Sequence, residues 1–344
     1  MKKARSLSVL GTAVSLTLGL GIAAGAVADT AKPVTVENFT EVEMDARIHR
    51  FLEAGGMNQG LVYDVPTPTD NQPVPRMNRD TLYAGIPVDT SEGFTITIPQ
   101  HSEDRYVSVY LLDNNHKTIG ILKGSGTTHT FAEQADTRWI VAIPRIQLFD
   151  ANSEEDIAIA REVLSGVKVE SGSQEPKPMV DWDWQGMLEL RSGYEQAMRD
   201  TITQYPNDWQ GARGEVDRYK GHNMAVATSW GLFPSSETVY IAQAPGLSAD
   251  QCYSAQYQVP EHGAFWSITV YNDQGYMFSD SNNINSASAK MDDDASFTMH
   301  YGSVEACGDV ENRLDTTEGW NLLMRVYEPA QSVIDGKYKM PTLG

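Results

Sequence analysis

Gly263-Ala264-Phe265-Trp266-Ser267-Ile268-Thr269-Val270-Tyr271 is the stretch from which the fold can be read. Trp266, Ile268 and Val270 fall on one side of an extended chain, and Phe265, Ser267, Thr269 and Tyr271 on the other. A period of two is that of a β-strand, and β-branched and aromatic side chains suit its pleated surface. Residues 106–112 repeat the arrangement: Val107, Val109 and Leu111 face one way, Tyr106, Ser108 and Tyr110 the other. The aliphatic face of each strand belongs in a core. The second face, of rings and hydroxyls, either packs on the rest of the protein or walls a cavity.

The likeness extends outward. Asp80-Thr81-Leu82-Tyr83 matches Glu237-Thr238-Val239-Tyr240, and Ile98-Pro99-Gln100-His101 matches Val259-Pro260-Glu261-His262. With Tyr106-Val107-Ser108-Val109 against Phe265-Trp266-Ser267-Ile268, three matches keep one order and nearly one spacing. They argue for a β unit used twice. The period is far too long for a solenoid repeat. Alternation predicts strands over 94–98, 106–112, 139–143, 239–242, 265–271, 297–301 and 321–327. Helical spacing, with Gly55-Gly56 as a stop, predicts a helix opened by a Thr40–Glu43 capping box. Ser153 with an acidic first turn starts a second helix, and two longer ones are expected over 182–203 and 209–230. The expected fold is β-rich α+β: two related antiparallel β-sandwich modules, jelly-roll-like, over 76–150 and 235–344, joined by a helical bridge over 151–234. A helix and lead-in over 29–75 precede them.

Composition narrows the function. A net charge of −20 excludes a basic nucleic-acid footprint, and 41% hydrophobic residues suffice for a real core. Lys2, Lys3 and Arg5, a mildly apolar stretch over 7–22 and Ala26-Val27-Ala28 have the pattern of a signal peptide over 1–28. An uncleaved anchor is the alternative, though Gly11, Gly19 and Gly21 dilute the apolar run. Export to the periplasm or medium, without stable membrane insertion, is therefore expected. In an oxidising compartment Cys252 and Cys307 are expected to form one disulfide, worth roughly 4 kcal/mol on the chain-entropy model.

Family resemblance rests on Met77-Asn78-Arg79-Asp80-Thr81-Leu82-Tyr83 with Arg105-Tyr106 and Leu112-Asp113, and on the 263–271 stretch. Glu318-Gly319-Trp320-Asn321-Leu322-Leu323-Met324-Arg325-Val326-Tyr327 and Asp335-Gly336-Lys337-Tyr338 add to it. The chain resembles the exported proteins that join a domain-of-unknown-function 1254 module to a 1214 module. The resemblance implies two β modules with helices between them and no established activity.

Candidate chemistry is sparse. The histidines at 49, 101, 116, 129, 222, 262 and 300 show no zinc-ligand spacing. His101 and His262 recur behind prolines, which favours a shared turn. Asp113 and His116 could form a base pair with Arg79 as charge anchor, in a hydrolase or lyase; the alternative is a turn with an exposed histidine. Asn78, Arg79 and Asp80 either hold a ligand or cap a turn and close a buried ion pair. Arg325 is either a buried ion-pair partner or an anion ligand. The oxygen-rich runs at 280–285 and 292–294 offer calcium-type ligands without the EF-hand order, so no cofactor is expected. Asp181 and Asp183 open a helix whose tryptophans belong in a core. The leading expectation is a protein that binds a small molecule or glycan fragment between the modules. Its ligand residues would be Asn78, Arg79, Asp80, Tyr83, Tyr106, Tyr110, Phe265 and Tyr271. A homo-oligomeric structural module is the third reading.

Overall fold

The computed structural model describes residues 31–72, 75–201 and 221–343. The fold belongs to the compact unit Lys32–Gly344. The expected signal peptide lies outside the described residues.

The first helix, α1 (Phe39–Gly55), buries Met44, Ile48 and Phe51 at helical spacing. Its start differs from expectation. Asn38 is the residue before the helix, and Thr40 lies inside the first turn. Glu43 does not reach back to close a capping box; it is buried and binds Arg191 at 2.7 Å. A buried ion pair outbids a surface cap for the same carboxylate.

Seven strands of the first module form one sheet: β1 (Leu61–Tyr63), β2 (Thr81–Thr97), β3 (Val107–Leu112), β4 (Thr118–Leu122), β5 (Thr128–Phe131), β6 (Trp139–Gln147) and β7 (Lys168–Ser173). The order is β1-β2-β6-β3-β4, and β5 and β7 pair with the far half of β2. Between β6 and β7 runs α2 (Glu154–Gly166), where Ser153 accepts from the Asp156 amide as the cap expected from sequence. The bridge continues with α3 (Trp184–Thr201) and α4 (Asn223–Thr228). Much of the helix expected over 209–230 lies outside the described residues.

In the second module a four-stranded sheet runs β11-β10-β14-β8, built from β8 (Thr238–Gln243), β10 (Trp266–Tyr271), β11 (Asn283–Asn285) and β14 (Asn321–Tyr327). A three-stranded sheet runs β13-β12-β9, from β9 (Tyr253–Gln258), β12 (Ser296–Tyr301) and β13 (Arg313–Leu314). Two short helices, α5 (Val304–Cys307) and α6 (Gln331–Ile334), complete the described elements. The order β8-β14-β10-β11 repeats β2-β6-β3-β4, strand for strand. Outside this shared core the modules differ, most plainly after their first strands. β2 passes through a bulge between Asp89 and Phe94 and stays one strand, whereas the loop after β8 separates β9 into a second sheet. The fold is β-rich α+β, as expected.

Three cores follow from the two faces of each sheet. The aliphatic faces fill the modules: Val107, Val109 and Leu111 pack with α2 residues Ile157, Ala160 and Leu164, and Trp266, Ile268 and Val270 pack with Phe297 and Tyr301. The ring-bearing faces meet each other. Tyr106, Tyr110, Phe265, Tyr271 and Tyr327 form the central cluster with Phe233 and α1. Each fully buried ring of this kind contributes about 1.5–3 kcal/mol of hydrophobic stabilisation. A cavity opens beside this cluster.

Candidate functional site

Each module builds the same row of three side chains across its central strands. In the first, Tyr83 on β2 lies opposite Arg145 on β6, which lies opposite Ser108 on β3. In the second, Tyr240 on β8 lies opposite Arg325 on β14, which lies opposite Ser267 on β10. Directly opposed residues of antiparallel strands point to one face. Both rows point away from the aliphatic cores. Between them is a cavity of about 370 Å³ lined by Tyr83, Arg145, Tyr240 and Arg325. α1 adds Arg47, Arg50 and Phe51, the lead-in adds Arg76 and Asn78, and Trp230 and Gly231 close another side.

The modules are bound reciprocally beside this space. Asp80, just before β2, accepts from Ser267 of the second module at 2.6 Å and from Asn283 at 2.9 Å. Glu237, its counterpart before β8, accepts from Tyr106 of the first module at 2.5 Å. Asn78 ties the two together, donating to the Tyr327 hydroxyl at 2.7 Å while its Oδ1 accepts from the Asp80 amide.

The two buried arginines are held differently. Arg325 donates to Thr269 Oγ1 at 3.1 Å, to the Tyr271 hydroxyl at 2.8 Å and to the Arg76 carbonyl at 3.0 Å. Arg145 donates to the Gly231 carbonyl, and its guanidinium lies 3.8 Å from the centre of the Phe233 ring. Its Nε has no hydrogen-bond partner, nor do Arg76 Nη1 and Trp230 Nε1. Among the described residues none of the five cavity arginines, Arg47, Arg50, Arg76, Arg145 and Arg325, has a carboxylate within 4.0 Å. The expectation of a buried ion pair at Arg325 is therefore corrected: neutral oxygens accept its hydrogen bonds.

Burial opposes the charge of Arg325, but the phenols of Tyr271 and Tyr327 and the Asp80 carboxylate outweigh it, so the guanidinium is held more firmly charged than usual. Burial pushes the Tyr83 phenol up, against the pull of Arg145, and it stays a neutral donor. Burial also raises Asp80, with Arg325, Ser267 and Asn283 pulling the other way. The cavity thus presents firm positive charge and phenolic hydroxyls over an apolar floor.

The sequence candidates divide. Asn78 and Tyr83 line the cavity. Tyr106, Tyr110, Phe265 and Tyr271 stand behind its wall, where Phe265 stacks on Tyr327 at 4.0 Å and the Tyr271 hydroxyl donates to the Met77 carbonyl at 2.8 Å. Asp80 is a buried strut between modules. Arg79 faces elsewhere, pairing with Asp280 at 3.0 Å and donating to Asn152 at 3.2 Å. Asp113 and His116 do not line the cavity. Asp113 Oδ1 accepts from the Asn115 and Lys117 amides, which closes the turn after β3. His116 is fully buried rather than exposed, and its Nε2 accepts from the Gly231 amide at 2.9 Å. An imidazole nitrogen occupied by a backbone amide is no free base, so the ring positions the Trp230–Gly231 wall instead. Asp292 and Asp294 accept from Ser296, and among the described residues no three acidic, histidine or cysteine side chains gather on one point.

Arg145, Arg47 and Arg76 belong to no motif that marks a site, and Tyr240 is marked only as part of the repeat. One signal was available: Ile143-Pro144-Arg145-Ile146 repeats Leu323-Met324-Arg325-Val326, a lone charge in each otherwise apolar central strand. The longer loops of the second module shift this match out of step with the other three.

The fold and these motifs have counterparts. Residues 57–171 match the family described as "Protein of unknown function (DUF1254)", and residues 242–331 the one described as "Protein of unknown function (DUF1214)". The chain carries both modules. An uncharacterized protein of Methanocaldococcus jannaschii is 34% identical over 108 residues, 28% of this chain and only 21% of that protein. The VPA0106 protein from Vibrio parahaemolyticus has a similar structure, with a TM-score of 0.65 and 15% identity over 89% of this chain and 97% of its own. An uncharacterized protein from Burkholderia cenocepacia gives 0.53 and 15%, over 86% and 84%. At such identities the likeness shows the fold alone.

Proposed function

We propose that the chain is an exported protein that binds a small molecule in the cavity between its two modules. The observation that carries the reading is the pair of matching Tyr–Arg rows facing one space of about 370 Å³. That volume is in the range of small-molecule sites, and an apolar pocket with a few convergent polar groups is their usual form. Buried donors without partners are costly to the free protein, and a ligand that accepts from them relieves the cost. Export is supported by the Cys252–Cys307 disulfide, since such bonds persist in oxidising compartments.

The test is a thermal-shift screen of chemically diverse small molecules on the full chain and on Leu323→Trp, which fills the cavity. A ligand near one hundred times its Kd adds about 2.7 kcal/mol, a shift of several degrees. Hits on the parent that vanish with Leu323→Trp are expected. A screen without hits, or hits that persist in the filled variant, would remove the reading.

A further inference from the structure

We infer that the cavity selects an organic carboxylate, a small anion with an apolar or aromatic body. The inference rests on the cavity being a binding site and names the class of molecule it takes. Three independent observations carry it.

The first is charge. In a chain of net charge −20, five arginines line one cavity whose lining contains no aspartate or glutamate. Among the described residues none of the five forms a salt bridge, although Arg79, Arg105, Arg138, Arg161, Arg191 and Arg313 all do. Arg145 and Arg325 are buried, and buried guanidinium groups in proteins are normally paired; Arg47 and Arg76 are half-buried and Arg50 is exposed. Here the chain's surplus of acid is kept out of a cavity lined by five arginines.

The second is the donor geometry. Arg145 is only 6% exposed, and its Nε has no acceptor. Arg76 holds a left-handed backbone at φ 57° and leaves Nη1 without a partner. A guanidinium edge offers two parallel N–H groups that fit the two oxygens of a carboxylate, and burial of Arg145 strengthens such a bond. The Tyr83 phenol, raised by burial, remains protonated and can donate to the same anion.

The third is the rest of the lining. Phe51, Met77, Ile143, Trp230, Leu232 and Leu323 give an apolar body somewhere to go. Inorganic phosphate or sulfate would meet the arginines and leave these side chains unused. A sugar would want acceptors as well as donors, and carboxylate or amide acceptors are few here; Asn71 and Asn78 are the amides of the lining.

The experiment uses the full chain and titration calorimetry. The probes are benzoate and cyclohexanecarboxylate, each beside its primary amide, with inorganic phosphate as the bare anion. Each acid is expected to bind about tenfold or more tightly than its amide, the difference typical of a hydrogen bond to a charged group. Arg145→Gln and Arg76→Gln should each weaken the acid by about tenfold and move the amide by about twofold or less. Arg76 is the half-buried one, so its variant keeps the test open if Arg145→Gln fails to fold. Acid and amide binding equally, with binding lost in Leu323→Trp, would overturn the carboxylate class and leave the cavity reading standing. Phosphate binding as well as benzoate would overturn the apolar body. No binding by either acid, while other hits from the screen still depend on the cavity, would also overturn the class; no cavity-dependent hit of any kind sinks both readings.

Discussion

Arg145 and Arg325 occupy the same place in two copies of one module, and the difference between them shows what a single side chain decides. Arg325 donates to Thr269, Tyr271 and the Arg76 carbonyl. Arg145 is left with an unmet donor. At equivalent positions of two sheets of the same strand order, one arginine is tied down and the other keeps an open donor. Asp80 belongs to the scaffold. Replacing it by alanine strands Ser267 and Asn283 and is expected to cost about 2–4 kcal/mol, read as a lower midpoint in urea unfolding. His116 also acts on structure. His116→Ala should destabilise by about 2–3 kcal/mol and weaken any cavity ligand by loosening Trp230 and Gly231, whereas a Leu323→Ala control would weaken binding without releasing that wall. Retained affinity in His116→Ala would show that the wall does not depend on the ring.

At the scale of elements, the bulge in β2 is the most telling feature. Asp89 sits there, fully buried, and takes hydrogen bonds from Arg138, Ser91 and Ser173. Burial opposes its charge, but those donors outweigh it and hold the carboxyl well below the usual range. An aspartate depressed in the folded state gives stability that is complete above its unfolded pKa of about 4 and is lost as pH falls toward the folded value. Asp89→Asn should therefore destabilise by about 3 kcal/mol at neutral pH, with the difference shrinking below about pH 4 in urea titrations. A constant difference across that window would show that the charge is not what stabilises the bulge. The disulfide is the other staple, tying the loop before β9 to α5 across 55 residues. Reduction is expected to cost up to about 4 kcal/mol, measured by calorimetry with and without reductant. Strand existence was legible here because alternation is local: all seven expected segments are strands. The start of α1 was not, because a distant Arg191 claims Glu43. A local cap rule cannot see a partner on another helix.

For the whole molecule, the reciprocal contacts matter most. Asp80 of the first module is satisfied by Ser267 of the second, and Glu237 of the second by Tyr106 of the first. Each module would be left with a buried, unmet carboxylate if its partner unfolded. One cooperative calorimetric transition is expected for the 32–344 unit, and two resolved transitions would refute the coupling. A double-mutant cycle on Tyr106→Phe and Glu237→Gln should return a coupling of about 1–3 kcal/mol; additivity would mean that the contact does not bind the modules.

The sequence by itself determined the period-two strands, the repeated module and the cysteine pairing, because each is written in residue order or in a count of two. It also showed which face of each strand is aliphatic, and those faces became the module cores. Only the tertiary structure decided that the ring-bearing faces pack on one another and that a cavity lies beside them. It also placed Arg145, Arg325 and Arg76 at that cavity, and Arg79 and His116 outside its lining. The reason is physical. A site assembled from β6, β14, α1 and the lead-in depends on which strands become neighbours, and that is set by packing two sheets face to face rather than by spacing along the chain.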